Sequence, residues 1–167
     1  MTAVLQGEPK GQGRRIAIAV ARFNDEITGK LLDGALAALR AHGVAETDVI
    51  VTWVPGAFEL PLCADWLCRT GRFDAVIALG AVVRGDTDHY DYVCSAATDG
   101  LLRTNLDHGL PVSFGVLTCD TWEQALARAG GAHGNKGADV ATAALAMADL
   151  RSKVADLRDR PAPFLPR

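Results

Sequence analysis

Residues 75–91 read AVIALGAVVRGDTDHYD, and this stretch decides the architecture. Ala75 to Val83 is a continuous run of apolar and glycine residues, the pattern of a strand buried on both faces of a parallel sheet. The run ends abruptly in Arg84-Gly85-Asp86-Thr87-Asp88-His89, and a helix is expected from Tyr90 to His108, stopped by Gly109 and Pro111. A buried strand that passes through a polar loop into a helix is half of a β-α-β unit.

Working outward, the same alternation recurs. RIAIAVA (15–21) reads as a strand, with Asn24 or Asp25 as the cap of a helix over 26–41. Leu31, Leu32, Ala35, Leu36 and Leu39 recur there at helical spacing, and Gly43 is a stop signal. Val49 to Val54 is a strand broken by Pro55-Gly56, and a helix is expected from Ala57 to Arg69. Downstream come a strand over Val112 to Leu117 and a short helix over Thr121 to Arg128, whose Thr121 and Gln124 have capping-box spacing. GGAHGNKG (130–137) reads as a loop before an alanine-rich helix from Ala138 to Leu157. The order predicts parallel strands joined by right-handed crossovers: a three-layer α/β/α sandwich on a four-stranded parallel sheet, flavodoxin-like. Residues 15–157 form a single domain in this reading. The polar, glycine-rich residues 1–14 read as a flexible arm, and residues 158–167, with three prolines, as an irregular tail that cannot be helical.

Composition agrees and narrows the function. A chain of 167 residues, 49% apolar and 22% charged, has ordinary globular values, which excludes disorder or a coiled coil as its overall description. No apolar run approaches the roughly 20 residues of a membrane span. The N-terminus lacks a secretory pattern, so a cytoplasmic location is expected. The net charge of −3 comes without blocks of like charge, so neither nucleic acid nor a membrane surface is an expected partner. Cys63, Cys68, Cys94 and Cys119 have neither zinc nor dithiol spacing and read as reduced core thiols. No GxGxxG, Walker or GxSxG motif is present, so dinucleotide and P-loop nucleotide binding lack support, and no metal-ligand cluster appears. A narrow sheet with alanine-rich helices suggests partners of the chain's own kind.

Ligands of an open parallel sheet sit beyond the carboxyl ends of its strands. That rule selects RFND (22–25), PGAFELP (55–61), RGDTDHYD (84–91) and TCDT (118–121). Gly85 lets a ligand approach the backbone, and the amides of Asp86 and Thr87 precede a helix start, a natural anion site. His89 is a side chain that can donate or accept a proton; the plain alternative is a solvated loop with a surface histidine. Phe23 and Phe58 read either as core or as rings that stack on a planar ligand. Glu59 reads either as a hydrogen-bond acceptor or as a complement to its helix dipole. Arg128 offers a fork to an anion or is an ordinary C-terminal helix charge. Lys136 reads as a solvated loop residue, His42, His108 and His133 as surface residues, and Trp53 and Trp66 as packing aromatics.

RFN (22–24), LLDGAL (31–36), VPGAFELP (54–61), DAVIALGAVVRGDTDHYDYV (74–93), FGVLTCDTWEQALARAG (114–130) and GNKGADVA (134–141) together resemble the lumazine synthase family, from about Arg15 to Leu150. The resemblance implies condensation of 5-amino-6-(D-ribitylamino)uracil with 3,4-dihydroxy-2-butanone 4-phosphate to 6,7-dimethyl-8-ribityllumazine, releasing phosphate and water, with no cofactor. By position, it implies Phe23 as the stacking ring and Ala57, Phe58 and Glu59 as contacts to the uracil and ribityl chain. Ala81, Val82 and Val83 then present backbone to the pyrimidine edge. Asp86 and Thr87 hold the phosphate, and His89 transfers a proton. Phe114 and Arg128 would come from a neighbouring copy. Asp86 stands where many relatives have Glu, and Asp88 where many have Pro. The resemblance also implies a homopentamer, and the short loop 130–137 resembles that of members in which twelve pentamers close an icosahedral shell. Riboflavin synthase is the further partner it implies.

Overall fold

Ile16, Ile18 and Val20 pack into one core while Ala17, Ala19 and Ala21 pack into another, so β1 (Ile16–Ala21) is buried on both faces. β3 (Ala75–Val83) divides the same way, with Ala75, Ile77, Leu79 and Ala81 facing one core and Val76 and Ala78 the other. Strands with two apolar faces have to be central, and they are: with β2 (Val49–Val54) and β4 (Val112–Cys119) the order is β2-β1-β3-β4. All neighbours run parallel, Ile16 aligning with both Val49 and Ala75. This computed structural model describes residues 2–158, so all but the first residue of the expected 158–167 tail lies outside the described residues.

α1 (Asp25–Ala41) and α5 (Lys136–Ala155) cover the first face with Ile27, Leu31, Leu39, Ala141 and Leu145, joined by Ala125 of α4 (Trp122–Arg128). α2 (Leu60–Arg69) and α3 (His89–His108) cover the second through Leu60, Cys63, Ala64 and Leu101. The result is the expected three-layer sandwich, with helices on both sides of a four-stranded parallel sheet. Each fully buried Ile or Leu contributes about 1.5–3 kcal/mol, so the two cores dominate the stability.

The differences from the sequence reading are local. Asn24 sits at the α1 N-cap position but with φ 61° and ψ 46° and no side-chain cap bond. Its Nδ2 instead donates to the Ala81 carbonyl at 2.9 Å, tying the end of β1 to β3. The left-handed conformation costs about 1 kcal/mol, which a hydrogen bond of that kind offsets. The expected helix from Ala57 divides into a 3-10 turn, Ala57–Glu59, and α2 proper, with Pro61 in its first turn where no amide is needed. The expected loop 130–137 contains an antiparallel hairpin, β5 (Ala129–Gly131) with β6 (Gly134–Asn135). α5 therefore begins two residues early, capped by Asn135, whose Oδ1 accepts from the Ala138 amide at 3.2 Å. The capping box of Thr121 and Gln124 is present as expected.

The stretch read as a flexible arm has no regular element, yet it is fastened. The Gly11 amide donates to the His42 carbonyl, the Glu8 amide to Asp149 Oδ2, and Lys153 Nζ to the Gln6 carbonyl. Backbone groups that find such partners are held although nothing in their spacing announces it. His108 is likewise no plain surface residue: its Nε2 lies 2.8 Å from Asp65 Oδ1, joining α3 to α2. Trp53 and Trp66 do not pack inward; both are exposed, Trp53 with the Arg22 guanidinium over its ring. Among the described residues no helix is long and apolar enough to cross a membrane.

Candidate active site

Beyond the end of β1 the ladder continues for two residues: the Arg22 amide donates to the Val54 carbonyl and the Phe23 amide to that of Pro55. These bonds set Phe23 beside the Pro55-Gly56 turn. Gly56 is extended, and the Glu59 carboxylate folds back toward it. The following 3-10 turn directs Phe58 outward. Phe23 is 71% exposed and Phe58 62%, which excludes the core reading of these rings. An exposed Phe forgoes about 1.5–3 kcal/mol of burial, so rings on a cavity wall are available to a ligand or partner surface.

These residues wall a cavity of about 610 Å³ at the carboxyl ends of β1, β2 and β3. Phe23, Ala57, Phe58, Glu59, Ala81, Val82, Val83, Thr87 and His89 all line it, so nine of the twelve expected site residues converge. Asp86 is exposed in the same loop but its side chain does not form the wall. Among the described residues nothing accepts from the amides of Asp86 and Thr87, which precede the 20-residue helix α3. Free amides there, with the helix dipole behind them, suit an anion. Thr87 Oγ1 accepts from the His89 amide at 3.4 Å, and the His89 imidazole, first in α3, stands at the wall between this loop and the rings.

Phe114 and Arg128 are elsewhere. They line a second cavity of about 290 Å³ along β4, one of the two edge strands of the sheet, together with Gln124 and Lys136. Phe114 is 40% exposed, and Arg128 Nη1 donates to the Gln124 carbonyl at 3.0 Å, which leaves the rest of its fork free among the described residues. Lys136, read as a solvated loop residue, is the first residue of α5 and borders this cavity, its Nζ 2.8 Å from Asp139. Gln124 and Lys136 line this cavity, and sequence reasoning did not place them at the site. Their only signal was adjacency to the TW and GN motifs.

Of the thiols, Cys119 borders the second cavity, and Cys63, Cys68 and Cys94 border neither. Cys63, Cys68 and Cys119 are buried and Cys94 half-buried. Burial raises all four pKa values, that of Cys68 to about 11, so they remain protonated and weakly nucleophilic.

A doubly covered parallel sheet defines a flavodoxin-like protein, and exposed rings beside free loop amides and a histidine at its carboxyl end suit a planar ligand and an anion. The comparisons narrow this class. The family model for 6,7-dimethyl-8-ribityllumazine synthase matches residues 13–152. A protein of Desulfatibacillum aliphaticivorans named 6,7-dimethyl-8-ribityllumazine synthase is 51% identical over 150 residues, which cover 90% of this chain and 97% of that protein. The chain belongs to the 6,7-dimethyl-8-ribityllumazine synthase family.

Proposed function

We propose that the chain works in riboflavin biosynthesis, condensing 5-amino-6-(D-ribitylamino)uracil with 3,4-dihydroxy-2-butanone 4-phosphate to 6,7-dimethyl-8-ribityllumazine, at a site built by two copies. The observation that carries the two-copy reading is the separation of the site residues. The exposed rings, Thr87 and His89 surround one cavity, whereas Phe114 and Arg128 line another on the β4 edge of the sheet. A second copy whose β4 edge docks over the first cavity brings Phe114 and Arg128 to it. Phe58, Leu62, Trp66, Leu102 and Leu106 are exposed on the α2–α3 layer, an apolar surface that such docking would cover.

The chemistry asks for positioning and proton transfer. Phe23 stacks on the pyrimidine, and the backbone of Ala81, Val82 and Val83 reads its polar edge. Ala57 and Phe58 bound the ligand, and Glu59 accepts hydrogen bonds from the ribityl hydroxyls. The 5-amino group attacks the ketone and water leaves to give an imine. His89 moves the proton that accompanies departure of phosphate, which the Asp86 and Thr87 amides and the neighbour's arginine hold. The ribityl-bearing nitrogen then closes the ring with loss of a second water. Additions and eliminations balance without net oxidation, so the reading includes no cofactor.

The assembly in this reading is a homopentamer, with twelve pentamers in a shell as its larger form. The location is cytoplasmic, and riboflavin synthase is the partner that consumes the product. The first test mixes the purified protein with both substrates and follows lumazine fluorescence against an enzyme-free control. Product well above that control, with Arg128→Ala losing use of the phosphorylated ketone, is expected. Background-level product from folded, oligomeric protein would contradict the activity.

A further inference from the structure

Arg84 directly follows β3 and does not line either cavity, yet the surrounding structure converges on it. Its amide donates to the Cys119 carbonyl at 2.9 Å, the last rung between β3 and β4. Its Nε donates to Asp120 Oδ1 at 2.9 Å and its Nη2 to Asp91 Oδ1 at 3.4 Å. The guanidinium lies 4.1 Å from the centre of the Tyr90 ring. One side chain thus fastens the first turn of α3 to the turn between β4 and α4. Asp120 is itself held, its amide donating to Gln124 Oε1 at 2.9 Å.

Between Arg84 and His89 the loop has little of its own to fix it. Gly85, Asp86, Thr87 and Asp88 are all exposed, and an alanine at Gly85 would touch nothing. The aim of its free amides therefore depends on where the loop's two ends are pinned. Arg84 pins both: the first end by its own backbone, the second through Tyr90 and Asp91, the residues after His89. We propose that Arg84 is a positioning residue, which holds the 85–87 amides and the His89 turn in the geometry that receives a phosphate ester. This rests on the reading of that loop as the anion subsite. With a carboxylate on either side, the Arg84 charge is already engaged and is not directed at a ligand. A planar fork that meets both carboxylates while lying on a ring is a task for arginine, not for lysine.

The test is steady-state kinetics of the full chain with each substrate varied in turn, for the wild type, Arg84→Gln, Arg84→Lys and Asp120→Asn. Thermal unfolding and assembly size are followed for every variant. Arg84→Gln is expected to raise KM for the phosphorylated ketone by roughly 5–20-fold, as loosened positioning of one charge-assisted contact does, with KM for the pyrimidine within about twofold. Arg84→Lys should recover only part of this. Asp120→Asn should raise the same KM, because it releases Arg84 from one anchor. A fall in that KM in Asp120→Asn would overturn the proposal, since a freed Arg84 would then be binding phosphate itself. So would an unchanged Arg84→Gln, or KM values for both substrates that rise together with a loss of stability. Should Arg84→Gln fail to fold, Asp120→Asn, which leaves the Tyr90 and Asp91 contacts in place, carries the same test. A wild type that makes no lumazine overturns the functional reading beneath the proposal, whereas an active wild type with an indifferent Arg84→Gln overturns only the proposal.

Discussion

His89 is the residue on which the proposed chemistry turns. It stands at a cavity wall between exposed rings and a loop of free amides, its ring without a hydrogen-bond partner among the described residues. A histidine held by its backbone while its imidazole stays open is suited to passing a proton rather than to supporting the fold. Replacing it with alanine is expected to slow turnover by about 10²–10⁴-fold, toward the lower end where positioning dominates, with the unfolding temperature unchanged. Rapid-mixing assays beside calorimetry check both. At this scale the sequence was informative but ambiguous. RFN and PGAFE announced rings at strand ends, yet only the observed exposure of Phe23 and Phe58 shows that they are not core. Asn24 was legible as a cap because Asn commonly caps helices; that it spends its amide on the Ala81 carbonyl depends on β1 and β3 lying side by side. Lys136 looked like a loop residue because the glycines at 134 and 137 disfavour helix and mask the cap that Asn135 forms.

Among the elements, the four strands and five helices of the sandwich were legible, because each carries enough apolar residues to display its period. The β5–β6 hairpin was not, since Ala-Gly-Gly and Gly-Asn have no strand preference and pair only because α4 and α5 bring their ends together. The docking of the N-terminal stretch on α5 was equally silent, for it depends on polar contacts far apart in sequence. Asp149, only 8% exposed, is central to it. The Lys153 ammonium, and then the Glu8 amide, hold its carboxyl below the ordinary carboxylate range. A depressed pKa of this kind stabilises the fold above the unfolded value, near pH 4, and that contribution is lost as the pH falls through the folded value. Asp149→Asn should therefore lower the unfolding temperature at neutral pH, and the gap to the wild type should narrow steadily below about pH 4. A gap that stays constant across a pH series of thermal melts would show that the carboxylate's charge contributes nothing there.

For the whole molecule, the decisive feature is that the site residues fall into two groups on one chain. The order of motifs along the sequence cannot show this. Phe114 and Arg128 follow His89 as naturally as Phe58 follows Phe23, and only the strand order β2-β1-β3-β4 puts the later pair on the β4 edge of the sheet. In the proposed reading a monomer holds two half-sites and completes neither, so that reading ties activity to assembly. The most direct measurement exploits that division. His89→Ala and Arg128→Ala chains, each nearly inactive alone, are refolded together in equal amounts and assayed for lumazine. If each site takes His89 from one copy and Arg128 from the next, random mixing leaves about a quarter of the sites fully wild-type, and activity returns to about that fraction. If both residues serve the site of their own chain, no mixed assembly contains an intact site, and activity that stays at the level of the separate variants would contradict the shared site.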